Sequence, residues 1–173
     1  MPAAARSDLH DPVEPLAFVF HDDGLVPNNP LPLLIYRSAV VVDNPHPEKT
    51  IEGLFGANGW GQMWRDGVYD YLHYHSTVHE ALGVAHGKAR VRFGGDKGRE
   101  FELFAGDVGI LPAGTGHQCI WVVSGAYPPG PKMEITLPTP DNHAAALESI
   151  PKVEKPTTDP IYGEDGPLIR HWS

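Results

Sequence analysis

Apolar and polar residues alternate most cleanly at Lys88–Phe93 (KARVRF), with Ala89, Val91 and Phe93 on one side and Lys88, Arg90 and Arg92 on the other. Period-two alternation predicts a half-buried antiparallel strand. From Val68 to Val123 similar short runs are cut by Gly87, Gly94-Gly95, Gly98, Gly106 and Pro112-Ala113-Gly114. Turn signals at this spacing predict an all-β sandwich or barrel. Two earlier apolar runs, Leu16–Phe20 and Leu33–Val42, are β-prone. The length of the second does not separate strand from helix, but its β-branched content favours strand.

Helical spacing is confined to two short stretches. Pro47–Asn58 has Pro in the first turn, Glu48 near the positive end, and Ile51, Leu54 and Phe55 on one face. Asn142–Ile150 follows Asp141, a capping residue, and stops before Pro151. Residues 1–15 lack periodicity and are expected to form a flexible arm, leaving residues 16–173 as a single domain with a C-terminal extension at 138–173.

Composition narrows the partners more than the fold. The 173 residues suit one domain, and 41% hydrophobic content supports a core without disulfide staples. A formal charge of −9 with no basic cluster speaks against nucleic acid or an anionic membrane as partner. No apolar run approaches the ~18 residues of a membrane helix, and the N-terminal residues show no secretory signal. The single cysteine, Cys119, agrees with a reducing, cytoplasmic setting. Neither a phosphate-binding glycine loop nor a G-x-S-x-G elbow is present.

The ten histidines carry the candidate chemistry. On a strand, His73 and His75 project from the same side, which suits two adjacent positions around one metal ion. Alone, such a pair is equally at home on a solvated face. His10, His21, His46, His86, His143 and His171 lie in turns, Pro-rich stretches or termini and read as solvated.

The residues around the pair change the weighing. Residues 67–87 contain Gly67, His73, His75, Glu80 and Gly87, and residues 106–121 contain Gly106, Pro112, Gly114 and His117. In that spacing they resemble the two signature motifs of the cupin superfamily, G-x5-H-x-H-x3–4-E-x6-G and G-x5-P-x-G-x2-H-x3-N. Trp121 stands where the second motif has Asn. The text between them is similar to that of small bacterial cupins of the YjlB type. The resemblance implies a double-stranded β-helix, the RmlC-like cupin jelly-roll barrel, with one or two short peripheral helices. It further implies one divalent metal (Fe, Mn, Ni or Zn) held by His73, His75, Glu80 and His117, and a homodimer.

Three imidazoles and one carboxylate leave positions for substrate or water, as in catalytic rather than closed structural sites. If Glu80 begins a strand, parity puts Glu80, Leu82 and Val84 inward and turns His79 aside, leaving His79 as a supporting or pocket-rim group. Parity also nominates Tyr69, Tyr71, Cys119 and Trp121 as pocket lining, although an inward aromatic is as often core. Trp121 in place of Asn makes a strongly polar sugar pocket less favoured. The expected function is a metal-dependent, oxygenase-like enzyme acting on a small organic molecule. The alternatives are a non-catalytic small-ligand or metal-binding cupin and a cupin isomerase.

Overall fold

The computed structural model describes residues 7–67, 69–119 and 122–173. Nine strands are described: β1 (Leu16–Phe20), β2 (Asn29–Tyr36), β3 (Gly61–Gly67), β4 (Glu80–Gly83), β5 (Lys88–Phe93), β6 (Arg99–Phe104), β7 (Val108–Leu111), β8 (His117–Cys119) and β9 (Val122–Tyr127). The helices are α1 (Pro47–Ala57), α2 (Pro140–Ser149) and α3 (Pro167–His171). Among the described residues the strand pairings are antiparallel, in a larger sheet ordered β1-β2-β7-β4-β9-β3 and a smaller one ordered β6-β5-β8. The result is an all-β jelly roll whose barrel is not closed among the described residues.

Leu33, Ile35, Leu82 and Val84 join Ala89, Val91, Phe93 and Leu103 in the core between the sheets. Their sequence neighbours Leu34, Tyr36 and Ala81 face the other way, into a second core under α1 and the C-terminal segment. The centre of the larger sheet is thus buried on both faces, which is why β2 reads as a continuous apolar run instead of an alternating one.

The run predicted over Leu33–Val42 is corrected at both ends. The strand begins at Asn29 and stops at Tyr36, where Ser38 takes a left-handed φ of 49°. Asp107 secures that turn, accepting from Ser38 N–H and from the Arg37 guanidinium, each at 2.7 Å. The second helix also starts earlier than expected. Thr139, not Asp141, is its cap, accepting from Asn142 N–H at 3.2 Å, and Pro140 occupies the first turn.

Of the N-terminal stretch, residues 1–6 lie outside the described residues, and several of the others contact the rest of the fold. Leu9 pairs with Val40, His10 N–H donates to Ala39 at 3.0 Å, and Glu14 bonds Arg170 and His171. These backbone and side-chain ties had no counterpart in the periodicity of the segment.

Candidate metal centre

The site is built where a short antiparallel bridge meets the start of β4. His73 and His117 pair through both backbone hydrogen bonds, at 3.1 and 2.9 Å, so their side chains lie next to each other with ring centroids 4.2 Å apart. The turn before His117 requires glycine at position 114. Its φ is +89°, and a Cβ there would lie 2.5 Å from the Asn28 carbonyl oxygen. His75, two residues beyond His73 in the same extended segment, completes a cluster. The ring nitrogens of His73, His75 and His117 fall within 4.8 Å of one another, and all three residues are buried.

Each ring is oriented from behind by a backbone carbonyl. Nδ1 of His73 meets the Tyr71 carbonyl at 3.0 Å, and Nδ1 of His117 meets that of Thr115 at 3.0 Å. His75 Nδ1 is bonded to the Glu134 carbonyl. A carbonyl only accepts, so each Nδ1 carries the proton and each Nε2 offers a lone pair to the interior. Glu80, opening β4 and paired with Leu111, lies outside that mutual 4.8 Å grouping but directs Oε2 to Nε2 of both His75 and His117, at 3.1 Å each.

The electrostatics reflect this crowding. Burial, followed by the closeness of the His117 ring, depresses the His73 pKa to about 3. Burial is also the largest influence on His75 and acts downward, but the Glu80 charge and hydrogen bond outweigh it and hold the pKa at about 8. Burial pushes Glu80 up, yet its attraction to His75 and its bonds to His117 and His75 keep it well below the usual carboxylate range. Glu80 is therefore an ion in the interior, which charge pairing and hydrogen bonds must compensate.

A cavity of about 190 Å³ opens off the cluster, walled by Trp64, Arg65, Asp66, Tyr69, Tyr127, Met133 and Ile135. Arg65 is engaged by a two-point pairing with Glu52. The nearby apolar and aromatic groups suit an organic molecule of modest size.

Among the residues nominated from sequence, His73, His75, Glu80 and His117 come together. Tyr69 lines the cavity, but it is 46% exposed and stacks on Tyr71 at 4.9 Å, so the two form an outer rim instead of inward core. Tyr71 is absent from the cavity wall. His79 is not pocket lining either. Its Nδ1 accepts from Ala113 N–H at 2.8 Å, and its ring packs on Trp172 at 4.8 Å, because the parity that turns Glu80 inward turns its neighbour outward. Cys119 ends β8, but its side chain, like Trp121, lies outside the described residues.

Two contributors were missed from sequence. Tyr127 donates to Glu80 Oε1 at 2.9 Å, brought there by the β4–β9 pairing of Ala81 with Ala126. Glu134 accepts from His75 by its carbonyl, while its carboxylate gathers Ser76 N–H at 2.6 Å and Thr77 N–H at 3.1 Å. No local spacing could have signalled either.

A two-sheet antiparallel jelly roll with His-x-His, a following Glu and a distal His gathered at one buried pocket has the arrangement that the cupin resemblance implies. The chain belongs to the family of YjlB from Bacillus subtilis (strain 168), with which it is 34% identical over 165 residues, spanning 92% of this chain and 97% of YjlB. No protein-family model matches it. Among solved structures it is similar to the acireductone dioxygenase of Bacillus anthracis with a cadmium ion in its active centre. That match has a TM-score of 0.41 at 15% identity, over 58% of this chain and 80% of the other. Oxalate decarboxylase of Bacillus subtilis gives 0.38 at 20% identity, over 65% and 28% of the two chains. A DUF861 family protein of Thermotoga maritima gives 0.35 at 23%, over 55% and 96%.

Proposed function

We propose that this cupin is a metal-dependent enzyme, oxygenase-like in its chemistry, acting on a small organic molecule. One observation carries the reading. With all three Nδ1 atoms committed to carbonyls, Nε2 of His75 and of His117 each face the same carboxylate oxygen at 3.1 Å. Lone pair against lone pair repels. Relief by protons would need both rings to become buried imidazolium ions, whereas a divalent cation satisfies the whole donor set. The residues fit such an ion.

His73, His75, His117 and Glu80 would hold it, and the mixture of imidazole with one carboxylate suits Fe or Mn, with Ni and Zn as competitors. When bound, such an ion supplies Lewis acidity and, if redox-active, a route to activate dioxygen. The protein's own contribution is to orient and to exclude. Carbonyls fix the three imidazoles, Tyr127 fixes Glu80, and Trp64, Met133 and Ile135 keep bulk water from the reacting molecule. Fe(II)-loaded protein should consume dioxygen only when an organic substrate is supplied, tested across a panel of small enols, phenols and hydroxy acids with an oxygen electrode. Turnover that survives complete chelation would remove the metal from the mechanism.

The same reading includes a cytoplasmic homodimer. Strands β1, β3, β6 and β8 end their sheets among the described residues, and such edges invite pairing. No helix among the described residues is long and apolar enough to cross a membrane. Light scattering should give twice the chain mass of 18.9 kDa. A mass of one chain would remove the dimer and leave the metal site untouched.

A further inference from the structure

Glu80 has two oxygens, and the structure treats them differently. Oε2 faces the histidines, while Oε1 accepts from the Tyr127 hydroxyl at 2.9 Å. That hydroxyl in turn accepts from the indole N–H of Trp64 at 3.1 Å. An indole N–H can only donate, so it fixes the direction of the chain: the hydroxyl lone pair meets Trp64 and its single proton goes to Glu80. Tyr127 is 2% exposed, so water does not compete for that proton.

The indole is itself held by a backbone feature. Trp64 lies directly opposite Gly125 across the β3–β9 ladder. A Cβ on Gly125 would sit 2.2 Å from indole Cε2 and 2.4 Å from Nε1, so any larger residue would drive the ring out of its place. Gly125, Trp64, Tyr127 and Glu80 thus form one directed series from sheet backbone to carboxylate.

Resting on the metal-site reading above, we propose that Gly125, Trp64 and Tyr127 are positioning residues that restrict Glu80 to one-oxygen donation, presenting Oε2 alone to the histidine cluster. The terminal torsion of a carboxylate is soft and two-fold, so without a donor on Oε1 the group can rotate and offer both oxygens to a cation. Tyr127 removes that freedom. It acts on the metal through Glu80.

The test uses the intact chain loaded with Mn(II) or Co(II). Infrared difference spectra record the separation of the two carboxylate stretches, with Glu80→Gln identifying the Glu80 bands. One-oxygen coordination gives a wide separation and two-oxygen coordination a narrow one. The expected result is a wide separation in the parent protein and a narrower one in Tyr127→Phe, together with a Co(II) affinity changed by roughly 10–100-fold. Trp64→Phe and Gly125→Ala should shift the bands in the same direction. A narrow separation in the parent, or bands and affinity unchanged in Tyr127→Phe, would overturn the inference while sparing the metal site. A parent protein that binds neither ion would overturn both.

Discussion

Replacing Glu80 with Gln keeps the side chain's shape but removes the charge that faces His75 and His117. Divalent-metal affinity should fall well beyond tenfold or the preferred metal should change. His79→Ala, one residue away, should keep the metal and lose stability instead. The Ala113 N–H then loses its acceptor in a buried setting, at a cost of about 1–3 kcal/mol. Metal content by mass spectrometry and urea unfolding of both variants check this pair of outcomes, and metal lost from His79→Ala but kept in Glu80→Gln would reverse the assignment. At this scale the motif resemblance was informative: the four residues it singled out, His73, His75, Glu80 and His117, are brought together in space. Tyr127 and Glu134 were not legible, because what brings them to the site is strand register and a later crossing segment, neither of which leaves a local pattern. Tyr69 and Tyr71 show the limit of parity: it needs a regular strand, and the residues around His73 and Tyr74 form isolated bridges only.

Elements show the same division between local signal and tertiary context. β1 and β5 are legible to the residue, because each has turn signals at both ends. β2 was not, since burial on both faces erases alternation, and a side chain–backbone contact from Asp107 sets its end. The seating of α1 on the larger sheet depends on the small size of Gly83. A Cβ there would lie 2.6 Å from Ile51 Cγ2, with Phe55 Cζ at 3.5 Å. Gly83→Ala should therefore lift the helix and cost about 1–3 kcal/mol, as overpacking of a filled interior does. Thermal unfolding measures it, and an unchanged midpoint would mean that α1 is not held by this contact.

Over the whole molecule, the C-terminal segment covers the outer face of the larger sheet and is tied at Asp159. That carboxylate is fully buried and accepts from Ile161, Tyr162 and Leu168 N–H and from the Tyr36 hydroxyl. Burial, then the Asp159 charge, raises the Tyr36 pKa far above its ordinary value. Above pH ~10 the unfolded chain releases the phenol proton while the folded chain retains it, so stability should fall as pH rises through that range. Tyr36→Phe should be less stable at pH 7 but lose less on going to high pH, as read by urea midpoints. An equally steep alkaline loss in the variant would place its source elsewhere. The role of residues 158–172 was opaque in a stretch without helical or strand period, because its order comes from tertiary ties: this carboxylate, the burial of Ile161 and Leu168, and the Trp172 indole N–H bonded to the Pro32 carbonyl at 2.8 Å.

The central claim is that the three-histidine cluster with Glu80 binds a divalent metal. Inductively coupled plasma mass spectrometry, after equilibration with Fe(II), Mn(II), Ni(II) and Zn(II) and removal of free ion, tests it most directly. The parent protein should hold about one bound equivalent per chain, and folded His73→Gln and His117→Gln variants should lose it. A parent protein that retains no metal, or variants that retain it undiminished, would show that this cluster is not a metal site.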